Sequence, residues 1–148
     1  MSVSGNDQAV LKSETIFFTR TYDEALDLVR EARTYLAGRG KEDVRNLPVE
    51  ANFGYAAESL RLTTRLTEGM AWLLYQRALQ EGEITLAEAQ EEECHLQHLE
   101  ICLPEEATCD PAILPEGLQS LLERSERLYQ RLLRLDQQGR DAFRRANP

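Results

Sequence analysis

Apolar residues recur every three to four positions along most of this chain, and no stretch alternates convincingly with period two. The stripe Tyr22, Ala25, Leu26, Val29, Ala32 and Leu36 predicts a first helix. Thr21 with Glu24 has the T-x-x-E form of a capping box and is expected to open it. Gly38, in "GRGKEDVRN", can take the left-handed conformation that closes a helix. Pro48 suits the first turn of a second helix, where its missing N–H costs nothing. That helix runs to Glu81 and stops at Gly82, about 50 Å at 1.5 Å per residue. Gly54 and Gly69 inside it each cost about 1 kcal/mol against alanine, which points to close packing there. Thr85 with Glu88 is a second capping box, opening a short helix over "LAEAQEEECHLQHL". Pro104, Pro111 and Pro115 punctuate an irregular segment after it, and Pro115 begins the last helix. Its stripe is Leu118, Leu121, Leu122, Leu128, Tyr129, Leu132, Leu133 and Leu135, interrupted by Ser125, and Gly139 is expected to end it. The expected fold is all-α: a three-helix bundle with a long central helix and a short extra helix, one domain over residues 1–148. Residues 1–16 and 137–148 are expected to be flexible.

The central helix carries more apolar surface than one core needs. At 100° per residue, Val49, Phe53, Ala56, Leu60, Thr64, Thr67, Ala71, Leu74 and Ala78 share one face. A second face holds Tyr55, Leu62, Leu66, Met70 and Leu73. The first is expected to line the bundle; the second needs either the short fourth helix or a second copy to cover it, and a homodimer interface is preferred, as the commonest oligomer of soluble proteins. The remaining stripe is polar, with Glu58, Arg61, Arg65, Glu68 and Gln76, and Trp72 falls on it. Trp72 is either a partner contact, as Trp and Arg often are, or is covered by the segment after Thr85.

The net charge of −9 argues against general nucleic-acid binding and against anionic membranes. "MSVSGNDQAVLKSE" has no basic start and no apolar run, no stretch is long and apolar enough to span a bilayer, and the three cysteines read as free thiols. A cytoplasmic location is expected.

Candidate chemistry is sparse. Cys94, His98 and Cys102 recur at four-residue spacing, with His95 and Cys109 nearby, and zinc takes such ligands. On a continuous helix Cys94 and Cys102 stand about 12 Å apart, too far for one ion. Buried cysteines and a solvent-facing histidine are the reading preferred here over a metal-binding Cys94–Cys109 segment. There is no G-x-S-x-G elbow, and "GRGKEDVRN" does not fit the phosphate-loop pattern GxxxxGK[ST]. Carboxylates sit in runs such as Glu91–Glu93, which read as solvated faces. No catalytic residue, metal or cofactor is expected.

Charge is segregated instead. From Glu81 to Glu116 there are eleven acidic residues and no lysine or arginine; from Ser120 to Pro148 there are seven arginines against four acids. Arg124, Arg127, Arg131 and Arg134 share one side of the last helix. Either these are docking surfaces of opposite sign, or the arginines are solvated or paired with the protein's own acidic segment from Glu81 to Glu116.

Two blocks complete the reading: "YAAESLRLTTRLTEGMAWLLYQRALQEGEITLAEA" and "LPEGLQSLLERSERLYQRLLRLD". E-S-x-R-L-T-T-R-L, W-L-L-x-x-R-A, E-G-E-x-T, S-x-R-L-Y-x-R and R-L-D, in that order from Tyr55 to Asp136, resemble the RcdA family, alphaproteobacterial regulators of CtrA degradation. The resemblance implies a dimeric three-helix bundle. It also implies a non-enzymatic adaptor that helps deliver cell-cycle proteins, notably CtrA, to the ClpXP protease and its co-regulators. The shared arginines and tryptophan map to Arg61, Arg65, Arg77 and Trp72. Family adaptors imply a mobile C-terminal tail, whereas here only "QQGRDAFRRANP" follows Asp136. The candidate partner-binding set is Arg61, Arg65, Trp72, Arg124, Arg127, Arg131 and Arg134. A dimeric interaction module with another client is the alternative.

Overall fold

The computed structural model describes the backbone of residues 5–148 and the side chains from Ile16 onward. The described chain is all-α and contains no strand. Its helices are α1 (Gly5–Ala37), α2 (Arg39–Arg45), α3 (Val49–Gln80), α4 (Leu86–Ala89), α5 (Leu99–Cys102) and α6 (Glu116–Ala146), with 3-10 turns at Glu92–Cys94 and Pro111–Ile113.

The three long helices pack on one another. Arg124 meets Glu31 and Arg131 meets Glu24, so α1 runs antiparallel to α6. Gly69 faces Leu132 and Trp72 bonds Asp136, so α3 and α6 run parallel. Parallel neighbours need a connection that travels back along the bundle, and residues 81–115 supply it. The core joins Ala25, Leu28 and Ala32 of α1, Leu62, Leu66 and Leu73 of α3, and Leu118, Leu121, Leu128, Tyr129 and Leu132 of α6. Each fully buried leucine contributes roughly 1.5–3 kcal/mol over leaving it exposed.

Several boundaries differ from the sequence expectation. Thr21 does not open a helix, because α1 already begins at Gly5; its hydroxyl donates back to the Phe17 carbonyl at 3.0 Å, the other local bond a helical threonine can make. Residues 5–16 are therefore helical backbone, and residues 1–4 of the expected arm lie outside the described residues. Gly38 interrupts the chain at φ −117°, not in a left-handed turn, and the expected loop after it coils into α2. Gly82, at φ 74°, closes α3 as expected. The Thr85–Glu88 capping box forms, but its helix lasts one turn. Beyond it, Glu91, Glu92 and Glu93 add like charges, and His95 turns inward. α6 passes through Gly139 to Ala146, since about 1 kcal/mol for one glycine is too little to break a long helix.

Gly54 and Gly69 are close-approach positions. A Cβ at Gly54 would meet the Cys109 sulfur at 2.6 Å, and one at Gly69 would meet Leu132 at 3.1 Å.

Candidate protein-interaction surfaces

The two apolar faces of α3 are exchanged relative to expectation. Leu62 is fully buried, Leu66 and Leu73 are buried, and Tyr55 and Met70 pack half-buried against the same core. This set, expected at a dimer interface, is the bundle core. The face expected inside is outside: Val49 is 84% exposed, Phe53 74%, Leu60 65% and Leu74 49%. The physical reason lies in the neighbours of Leu62 and Leu66 on the helix. Arg65 must reach the α6 backbone and the crossover segment, which turns that side of α3 inward.

Arg65 is buried and holds the crossover. Its Nε donates to the Cys102 carbonyl at 2.7 Å, and its Nη1 to the Leu122 carbonyl at 3.1 Å and Ser125 Oγ at 3.3 Å. Burial pulls its pKa below the usual arginine value. Arg61, one turn earlier, donates to the Ile101 carbonyl at 2.9 Å and to Thr108 Oγ1, and pairs with Glu58. Trp72 is only 5% exposed, and its Nε1 donates to Asp136 Oδ1 at 3.1 Å. Arg61 and Arg65 were candidates for partner contact, and Trp72 had two readings, partner contact or cover. Here the two arginines hold residues 101–108 to α3, and Trp72 is covered and joined to α6.

Asp136 and His95 form a buried junction that the sequence reading missed. The Asp136 carboxylate accepts from Trp72 and from the Leu96 amide at 3.2 Å, and lies 2.7 Å from His95 Nδ1. His95 Nε2 lies 3.1 Å from the Gln90 carbonyl. His95 is thus buried, and His98 is the solvent-facing histidine. A carboxylate on the inward stripe of α6 was the available signal, because a buried acid needs partners.

The helical premise behind the Cys94, His98 and Cys102 spacing does not hold: Cys94 ends a 3-10 turn and His98 has φ 57°. Among the described residues no group of three His, Cys, Asp or Glu side chains is placed to hold a metal. The thiols of Cys94, Cys102 and Cys109 are all pushed up, in each case chiefly by burial.

The arginine side of α6 is partly committed. Arg124 grips Glu31 through two 2.6 Å bonds, Arg131 reaches Glu24 at 2.7 Å, and Arg127 pairs with Glu123 on its own helix. Its acids are thus on α1 and α6, not in the segment from Glu81 to Glu116. Arg134 is exposed. No helix among the described residues is long and apolar enough to cross a membrane.

The family described as protein of unknown function DUF1465 matches residues 9–148. The crystal structure of RcdA from Caulobacter crescentus CB15 matches with 43% identity, covering 82% of this chain and 89% of that one, at a TM-score of 0.65. The chain belongs to the RcdA family. No curated protein matches it. For the RcdA family blocks recognised in the sequence, the structure gives a physical reason: Arg61, Arg65, Trp72, Ser125 and Asp136 all fall within them, and together they clamp the crossover to the bundle.

Proposed function

We propose that this protein is a non-enzymatic adaptor of regulated proteolysis, helping deliver a cell-cycle regulator of CtrA type to the ClpXP protease. The observation that carries this reading is the 43% identity to RcdA over most of both chains. The surface chemistry supports it. The crossover displays an acidic face, and α6 displays arginines of which Arg134 and Arg127 remain well exposed. An adaptor needs two contacts, and surfaces of opposite sign would steer two different partners.

Its working form in this reading is a homodimer, joined by the exposed stripe Val49, Phe53, Ala56, Leu60, Thr67, Ala71 and Leu74. This stripe carries no charge along most of α3, and its small Ala and Thr positions favour close helix approach. A contiguous exposed apolar patch of this kind marks an interaction site. The reading places the protein in the cytoplasm, with neither nucleic acid nor membrane as a partner.

The direct test is association: the purified protein is mixed with a CtrA-type regulator and the co-regulators, and complexes are followed by light scattering. Formation of a complex containing both regulator and adaptor supports the reading. Failure to bind the regulator under any combination of co-regulators removes it.

A further inference from the structure

A cleft of about 350 Å³ lies between α3, α6 and the crossover. Glu58, Arg61 and Arg65 line it from α3, and Gln119, Glu123 and Glu126 from α6, each trio at three- and four-residue spacing on one side of its helix. Pro104, Pro111 and Leu114 make the crossover's wall chiefly apolar. Arg65 and Glu58 are only 6% and 7% exposed, yet each keeps one polar atom free. Arg65 commits Nε and Nη1 to the Cys102 and Leu122 carbonyls and to Ser125, and its Nη2 has no hydrogen-bond partner among the described residues. Glu58 gives Oε1 to Arg61, and its Oε2 has none either. Neither atom is sealed in: among the described residues, the unpartnered side-chain atoms closed off from solvent are Ser59 Oγ and Arg140 Nε. Both free atoms therefore open to the cleft that their side chains line.

Because α3 and α6 run parallel, the cleft has two different ends. Acceptors mark one end: Oε2 of Glu58 and the amide oxygen of Gln119, whose Nε2 already donates to the Leu114 carbonyl at 2.7 Å, with the Glu123 carboxylate next along α6. At the other end Arg65 Nη2 offers a donor, and Glu126 is the carboxylate that attracts Arg65 without bonding it. A donor beside an acceptor matches one backbone peptide unit, which carries one of each. An acceptor-only end matches a cation. Glu58 and Arg65 stand about 10 Å apart along α3, a distance that one extended arginine or lysine residue spans from its peptide unit to its head group. Charge points the same way. The lining carries three carboxylates against two guanidiniums. Outside it, the same loop adds exposed Glu105, Glu106 and Asp110, so the local field repels a free anion and draws a cation.

We propose that this cleft receives one long basic side chain, arginine or lysine, from an extended segment of a protein partner. The proposal deepens the adaptor reading and rests on it for the partner's role. The head group lies among Glu58, Gln119 and Glu123, and its methylene stem lies on the wall of Pro104, Pro111 and Leu114. The segment's carbonyl accepts from Arg65 Nη2 and its amide donates to Glu126, so the segment binds in one orientation.

The probe is arginine capped as its N-acetyl, C-methylamide derivative, titrated into the full-length, nitrogen-15-labelled protein and followed by NMR. The expected result is saturable shifts confined to residues 58–65, 104–114 and 119–126. The capped norleucine analogue, with the stem but no charge, gives none. Butylguanidinium, with head and stem but no peptide unit, binds more weakly than the capped arginine. The double variant Glu123→Gln with Glu126→Gln weakens the probe by about threefold or more. Both glutamates are exposed and Glu123 gives up only its surface pair with Arg127, so the fold is retained, as an unchanged spectrum away from the cleft verifies. Equal binding of the norleucine analogue overturns the proposal, as does undiminished binding by the double variant. Unsaturating shifts spread over the whole segment from Glu81 to Glu116 make this a solvated acidic face. Butylguanidinium binding as tightly as the probe makes it a site for free cations, and inorganic phosphate displacing the probe makes it an anion site; each of these overturns the proposal. Client turnover separates it from the adaptor reading. If the double variant loses the probe but supports turnover at the full rate, the cleft proposal falls and the adaptor reading stands. If the probe binds as described but turnover never depends on the protein, the adaptor reading falls and the cleft proposal stands.

Discussion

Replacing Arg65 tests the clamp that sets which side of α3 is buried. In Arg65→Ala the Leu122 carbonyl and Ser125 hydroxyl keep each other, at 3.0 Å, so they lose little. The Cys102 carbonyl loses its 2.7 Å charged donor in a buried setting. An unsatisfied buried acceptor costs about 1–3 kcal/mol, and the lost side-chain stem adds packing loss. Desolvation of the guanidinium, the main cause of its lowered pKa, is relieved and offsets part of this. The net expectation is a loss of about 2–4 kcal/mol, or roughly 4–16 °C in melting temperature for a chain of this size. Arg65→Met restores the stem without the hydrogen bonds and is expected to recover part of the loss. Thermal unfolding by circular dichroism gives the magnitude, and hydrogen exchange of residues 99–109 gives the location. A melting point within about 1 °C of the parent, with unchanged exchange in that segment, refutes the clamp.

Packing and charge give three further expected outcomes. Gly54→Ala pushes a methyl against the Cys109 sulfur and is expected to cost about 1–3 kcal/mol, with Cys109→Ala in the same chain restoring part of it by urea unfolding. Leu60→Glu is expected to give a folded monomer by light scattering, whereas Leu66→Glu, in the core, is expected to unfold the protein; a folded Leu66→Glu monomer reverses the assignment of faces. The Glu31 carboxyl is held below the usual range first by its hydrogen bond with Arg124, so the pair stabilises the fold above the ordinary carboxylate pKa and loses that effect as pH falls through the lowered value. Both side chains are about half exposed, so the contribution is below about 1 kcal/mol; parent and Arg124→Gln are expected to differ near neutral pH and converge in acid in urea titrations.

Helical periodicity was enough to read the three long helices, the Thr85 cap and the all-α class, because a 3.6-residue repeat leaves its mark in local sequence. It could not tell which apolar face of α3 turns inward. Phe53 and Leu60 make one face look like core, yet the decision belongs to Arg65, whose partners lie 37 to 60 positions away. Such a long-range choice has no local signature. Ser125 and Asp136 did carry a signal, as polar breaks in the apolar stripe of α6. Each marks where a side chain from α3 enters. Trp72 had two readings, and the structure supports the covered one, with Asp136 as its partner. The course of residues 90–114 was illegible because charged side chains hold it by backbone carbonyls, contacts that leave no hydrophobic period.

The central claim is that this protein accelerates destruction of a client while catalysing nothing itself. Purified ClpXP, its co-regulators and a CtrA-type client are combined with and without the protein, and client lifetime is followed. The account predicts client turnover that rises and saturates with added protein, and no cleavage when ClpXP is omitted. Turnover independent of the protein, with every co-regulator present, contradicts it.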